Sequence, residues 1–235
     1  MVELKPYNPM RLSPQRSREL IARGWTLTEA NFTDEQAFSE HLRELATSFG
    51  VPVVARSAED MVSVLRPTAA GDARPNSLSA RYSTGSFPFH VDTAHWIVPC
   101  RYIVLGCLDP GAGNRKTLLL DTATFPLSDE QRQLLVSTPL RVVNGRRSFF
   151  STITKRGRSF VRYDPGCMLA ATGDGGRALA VFAAGAWPDR VAEVCWRKGN
   201  VLIIDNWRVL HGRSDAKETD PRRTLMRVYV TGGDE

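Results

Sequence analysis

Phe87-Pro88-Phe89-His90-Val91-Asp92 is a short apolar run that ends in His-x-Asp. In an extended strand, side chains two apart project from the same face. Read that way, His90 and Asp92 point together, an imidazole and a carboxylate about 7 Å apart at the ~3.3 Å rise per residue. Such a pair can grip a divalent metal from one side and leave its other side open. His-x-Asp alone is common, so its meaning depends on a partner elsewhere. That partner stands far downstream, in Gly199-Asn200-Val201-Leu202-Ile203-Ile204-Asp205-Asn206-Trp207-Arg208-Val209-Leu210-His211-Gly212-Arg213. There an apolar strand runs into a polar turn, and a short apolar step delivers His211 just ahead of a glycine. Only a fold that lays distant strands side by side brings His90 and His211 together, and a β-sandwich does this.

The rest of the chain agrees. Segments 24–27, 51–54, 61–65, 101–108, 117–121, 140–143, 149–154, 160–164, 191–196, 201–205 and 224–230 read as strands, broken by turns such as Asp109-Pro110-Gly111 and Lys198-Gly199-Asn200. Thr33-Asp34-Glu35-Gln36 has the form of a capping box, with Thr33 as N-cap and Gln36 reaching back. Phe38, Leu42, Leu45 and Phe49 follow at helical spacing, His41 lies in or beside that stripe, and Gly50 fits the stop. Ser128-Asp129-Glu130-Gln131 opens a second helix through Leu135, and 174–184 a third. Residues 1–24 read as a basic surface lead-in with one short helix. Strands outnumber helices and do not alternate with them, which disfavours a doubly wound sheet. The expectation is a mainly β chain with flanking helices around a double-stranded β-helix, or jelly-roll, core. One domain is expected over 1–235: a helix, strand and loop flank at 1–79, and the jelly roll at 80–235. The loop at 67–79 is rich in Pro, Gly, Ala, Asn and Ser, and reads either as a lid or as a plain surface loop.

Composition excludes several classes. The chain is 42% hydrophobic and 24% charged, which is ordinary for a globular protein and argues against disorder. Net charge is +6 and the pI near 9.4, read either as a basic cleft or as scattered surface arginines. No run of five or more like charges occurs, which argues against a nucleic-acid tail. Cys100, Cys107, Cys167 and Cys195 match no zinc framework and read as mostly buried free thiols, as expected in a reducing cytoplasm. Met1–Pro6 lacks the apolar core of a signal peptide, and no stretch approaches the ~20 apolar residues of a membrane span.

Two histidines and one carboxylate on one face are the facial triad of non-haem iron(II) oxygenases. Three protein ligands leave three octahedral positions free, two for a 2-oxo acid and one for dioxygen. His95 is either a spare ligand or a hydrogen-bonding support. Downstream, Pro221-Arg222-Arg223-Thr224-Leu225-Met226-Arg227 offers arginines for the far carboxylate of a 2-oxo acid.

Taken in order, His90-x-Asp92, Gly113-Asn114-Arg115-Lys116-Thr117-Leu118, Asp205 to Arg213, and Arg222-Arg223 with Arg227 resemble the iron(II)/2-oxoglutarate-dependent dioxygenases of the taurine dioxygenase and clavaminate synthase-like superfamily. The likeness spans roughly 80–235. The Asp205–Arg213 stretch is closest to the γ-butyrobetaine hydroxylase-like branch, which usually has arginine where Trp207 stands. The resemblance implies a single Fe(II) on His90, Asp92 and His211. It implies 2-oxoglutarate held by Thr117 and Arg223, dioxygen as co-substrate, and a substrate contact at Arg227. It also implies hydroxylation of an unactivated carbon, with release of succinate and carbon dioxide. Desaturation, epoxidation or cyclisation remain alternatives of the same chemistry. Arg81 and Tyr82 read as further substrate contacts, Arg81 alternatively as a surface salt bridge. A small amino-acid-like or carboxylic-acid substrate and a cytoplasmic monomer or homodimer are expected. The rivals are the same chemistry on a peptide or nucleic acid, marked by a basic groove beside the iron, and a non-catalytic cupin-like metal-binding protein.

Overall fold

The computed structural model describes residues 12–55, 60–75, 77–183, 185–216 and 218–232. The residues through Arg11, with the expectation of no signal peptide, lie outside these, as does Asn76 of the 67–79 loop. In chain order the elements are α1 (Pro14–Arg23), β1 (Trp25–Glu29), α2 (Glu35–Thr47), β2 (Val51–Val53), β3 (Ser63–Leu65), α3 (Leu78–Tyr82), β4 (Phe87–His90), β5 (Tyr102–Asp109), β6 (Thr117–Asp121), α4 (Asp129–Ser137), β7 (Leu140–Asn144), β8 (Arg147–Ser151), β9 (Met168–Ala170), α5 (Gly173–Ala180), β10 (Val191–Val194), β11 (Asn200–Asp205), β12 (Val209–Arg213) and β13 (Thr224–Thr231).

Two antiparallel sheets face each other. The larger runs β1-β11-β5-β13-β2, with β3 also on β13; the smaller runs β10-β6-β12-β4. A third sheet, β8-β7-β9, lies outside the pair. This is the expected mainly β, jelly-roll architecture. Alternation along each strand builds three apolar layers. Ile103, Leu105 and Cys107 of β5 meet Leu202 and Ile204 of β11, Leu225 and Tyr229 of β13, and Leu119 and Val209 of the smaller sheet. Their neighbours Val104, Val201, Ile203, Met226 and Val228 turn outward and pack on Phe38, Leu42 and Leu45 of α2. On the opposite side, Leu120 and Leu210 of the smaller sheet pack on Leu135 of α4, Ala178 of α5, and Leu140 and Val142 of β7.

Helix α2 shows how sequence sets this packing. Phe38 and Leu42 are fully buried, and each contributes roughly 1.5–3 kcal/mol by leaving water. The helix lies so close to β5 that a Cβ on Gly106 would sit 2.6 Å from Leu42 Cδ1 and 2.7 Å from Phe38 Cζ. Only glycine fits there. The N-cap differs from the expected one: Asp34, not Thr33, caps the helix and accepts from Ala37 N at 2.9 Å. Thr33 instead hydroxyl-bonds Asp34 Oδ2, and Gln36 reaches forward to Glu40. The capping box at Ser128 and Gln131 forms as expected.

Other expectations are corrected. Residues 160–164 form no strand; they run extended and bond singly, Val161 N to Trp207 O and Val91 N to Tyr163 O. Strands β9 and β12 and helix α3 add to the expected set. Within 67–79, Ala70–Asp72 form a 3-10 turn, and Ala70 N bonds Ser83 Oγ at 3.2 Å. Cys100 and Cys107 are buried free thiols, but Cys167 is half-buried and Cys195 exposed. Among the described residues, no helix is long and apolar enough to cross a membrane.

Candidate active site

In the smaller sheet β12 pairs antiparallel with β4, and His211 stands directly opposite His90. Directly opposed residues share a face, so the two rings meet with centroids 4.4 Å apart. Asp92 does not continue that strand. β4 ends at His90, and Asp92 enters a turn whose next residue, Thr93, has φ 58°. The ~7 Å spacing of an extended strand is therefore replaced by a fold-back. Asp92 Oδ1 lies 3.5 Å from His90 Nε2, and Oδ2 lies 3.6 Å from His211 Nε2. One ligand atom from each of the three residues falls within 4.8 Å of the others, as a single ion requires.

The sequence did not reveal what holds this turn. Asn206, fully buried, accepts from Asp92 N at 2.9 Å and donates to Asp92 O at 3.0 Å and Cys100 O at 2.8 Å. It clamps the ligand's backbone from both sides. Its signal was present in the Asp205-Asn206-Trp207 turn but carried no role. Arg162, also buried, donates to Ala94 O, Trp96 O at 2.6 Å and Ile97 O at 2.7 Å, and so fixes the loop beyond Asp92. His95 stays outside the metal-capable cluster, its ring edge-on to Trp96.

The donor set fits a metal. His90 Nδ1 is 2.9 Å from Pro88 O, a pure acceptor. Nδ1 must therefore carry the proton, leaving the Nε2 lone pair facing Asp92. Burial works against an ionised Asp92, but Arg227, 3.2 Å away, and the two imidazoles outweigh it and hold the carboxyl well below its usual range. Burial and the neighbouring His90 push His211 down, favouring its neutral, metal-ligating form. Burial also opposes protonation of His90, but Asp92, Asp164 and the Pro88 carbonyl together raise it.

Beyond His211 the same strands carry arginines. Arg213, two residues on, pairs in register with Thr117 of β6. The Thr117 hydroxyl accepts from Trp196 Nε1 at 3.0 Å, which leaves its own proton free to donate. Arg213 packs 3.4 Å over Phe87 and donates to the carbonyls of Ser83 and Gly85. Arg223 turns inward, its Nε buried without a hydrogen-bond partner among the described residues. Arg222 beside it turns outward onto Asp220, 2.8 Å away. Burial, then the charge of Arg115, lowers Arg213 to about 9 and Arg223 to about 10. The basic excess is thus partly drawn inside. Arg81 on α3 donates to Pro165 O at 3.0 Å, rather than to a carboxylate, and Tyr82 stands 6.1 Å from the Phe87 ring.

Residues 130–229 match the family model described as "Taurine catabolism dioxygenase TauD, TfdA family". That segment holds His211, Arg223 and Arg227, and stops short of His90, Asp92 and Thr117. No curated protein sequence matches the chain. Among solved structures, an asparagine oxygenase in complex with Fe(II), 3-hydroxyasparagine and succinate matches with TM-score 0.74 and 16% identity, over 93% of this chain and 80% of that one. The non-haem iron oxygenase OrfP, in complex with Fe, succinate and (3S)-hydroxy-L-Arg, matches with TM-score 0.72 and 19% identity, over 93% and 80%. PvcB from Pseudomonas aeruginosa matches with TM-score 0.66 and 19% identity, over 96% and 83%. At these identities the likeness is one of fold. The chain thus resembles the TauD/TfdA dioxygenases in the sequence of residues 130–229, and these non-haem iron oxygenases in fold over most of its length.

Proposed function

We propose that this chain is an iron(II)- and 2-oxoglutarate-dependent oxygenase that hydroxylates an unactivated carbon of a small amino-acid-like or carboxylic-acid metabolite. The observation that carries this reading is the triad itself. Two imidazole Nε2 atoms flank one carboxylate within 4.8 Å, buried, with one ring's tautomer set by a backbone carbonyl. His90, Asp92 and His211 would hold the iron; Thr117 and Arg223 would hold the oxo acid. Bound iron and 2-oxoglutarate supply dioxygen activation, one oxygen atom going to succinate and the other to the substrate C–H bond, with loss of carbon dioxide.

The chain's own groups do the placing. The Thr117 hydroxyl has a proton to donate, and Arg223 offers a buried, unsatisfied N–H to an anion. Arg227 holds Asp92 ionised and oriented by its Nη1 contact, and would share its charge with an anionic substrate. Arg81 and Tyr82 would meet the substrate. Both hydroxyamino-acid complexes among the similar structures support an amino-acid-like substrate. The inward turn of Arg115 and Arg223 favours a small anion over nucleic acid. The γ-butyrobetaine hydroxylase-like branch rests on Asp205–Arg213 alone.

The test is a screen of amino acids and small carboxylic acids for substrate-stimulated succinate release with iron(II), ascorbate and 2-oxoglutarate. The expected result is stimulation by one such class, with release lost in Asp92→Ala and His211→Ala. Succinate release unchanged in either variant would overturn the assignment.

A further inference from the structure

Arg115 lies two residues before Thr117, where the chain enters β6. Two residues apart on extended chain places the two side chains on one face. Lys116 between them is locked to β12's end, its N bonded to Ser214 Oγ at 3.0 Å and its O accepting from Ser214 N at 3.1 Å. Arg115 is 5% exposed, a depth arginine rarely reaches without a partner. Among the described residues its Nη1 is nonetheless buried with no hydrogen-bond partner, as is Nε of Arg223. The loop before β6 lies against Arg223: a Cβ on Gly111, four residues before Arg115, would stand 2.9 Å from Arg223 Cβ. Arg115, Arg213 and Arg223 lie within electrostatic reach of one another, and among the described groups Asp215 is the acid that offsets the first two. Arg213 spends its donors on Ser83 and Gly85, so it supplies charge but little directed bonding.

We infer that Arg115 is a second guanidinium donor to the far carboxylate of the oxo acid, approaching from β6 while Arg223 approaches from β13, and that it makes the pocket selective for dicarboxylate 2-oxo acids. This rests on the proposed use of 2-oxoglutarate. A buried donor without a protein partner gains a charge-assisted hydrogen bond when a carboxylate arrives. A monocarboxylate 2-oxo acid would leave both donors unmet. Selectivity follows from that difference rather than from shape.

The experiment is anaerobic calorimetric titration of the iron(II)-loaded protein with 2-oxoglutarate and with 2-oxobutyrate, which lacks the far carboxylate. Wild type, Arg115→Met, Arg115→Lys and Arg223→Met are compared, with circular dichroism as the check on folding. For Arg115→Met, 2-oxoglutarate binding should weaken about 10–100-fold, the range for a charged hydrogen bond, while 2-oxobutyrate binding stays within about twofold. Arg115→Lys, which keeps the charge, should retain part of the affinity. If Arg115→Met and Arg115→Lys both bind 2-oxoglutarate like wild type while Arg223→Met does not, Arg115 has no such role and the inference fails alone. If wild type itself binds no 2-oxoglutarate, the underlying function fails instead. Equal weakening of both acids would make Arg115 a general scaffold residue and also overturn the inference.

Discussion

Two adjacent regions of the site solve the problem of buried charge in opposite ways. At the triad, Asp92 is matched by Arg227 and two imidazoles, and its backbone is clamped by Asn206. At the arginine cluster, Asp215 offsets Arg115 and Arg213 but not Arg223, and among the described residues Arg115 Nη1 and Arg223 Nε are buried without hydrogen-bond partners. The first region pairs its carboxylate with cationic and imidazole groups of the chain itself, although His211 Nδ1 is also buried without a hydrogen-bond partner among the described residues. The second carries surplus positive charge that a bound anion must complete. A metal site needs fixed ligands, whereas a co-substrate that is consumed each cycle needs a pocket that gains most when filled.

The sharpest way to break this comparison is to ask whether excess 2-oxoglutarate rescues each region. Asp92→Ala should lose turnover by more than the ~10–100-fold that losing an outer partner costs, and no concentration of oxo acid should restore it. Arg223→Ala should raise the 2-oxoglutarate requirement about 10–100-fold, with turnover recovering at saturation. Rescue of Asp92→Ala, or failure to rescue Arg223→Ala, would erase the distinction. Arg222→Ala is the internal control. Its guanidinium faces outward onto Asp220, so the 2-oxoglutarate requirement should not move; a rise there would put the pocket one residue off.

Asn206 sharpens the comparison from the other side. Asn206→Ala leaves Asp92 N–H and the Asp92 and Cys100 carbonyls without partners and should cost ~1–3 kcal/mol of stability. Iron(II) affinity should fall ~10–100-fold, with 2-oxobutyrate binding to the remaining loaded protein unchanged. Melting curves and anaerobic metal titration measure both. Full metal affinity in a folded Asn206→Ala would show that the turn holds Asp92 without it.

Much of this was legible in the residues, for physical reasons. Alternation gave β5, β6, β11 and β13 nearly to their ends, because each is buried on both faces or paired on both edges. The His90 and His211 pairing follows once a sandwich is accepted, since register then puts them opposite. The position of Asp92 was not legible. An i, i+2 rule assumes the strand continues, but β4 ends at His90, and a distant asparagine holds Asp92 in a turn beside left-handed Thr93. Residues 160–164 alternate like a strand but make only single backbone bonds to separate partners, which a local pattern cannot foresee. Thr33 and Asp34 are both capping residues, and the carboxylate won the helix N-terminus. Arg115 stands in the Gly113–Leu118 stretch that carried the resemblance, but nothing local in the sequence signals its burial.

The central claim is that three residues from two distant stretches hold one metal. Anaerobic titration of the metal-stripped protein with iron(II) tests it most directly. The account predicts one tight iron per chain in wild type and none of that affinity in His211→Ala, with circular dichroism unchanged. One iron bound equally tightly by His211→Ala would contradict it.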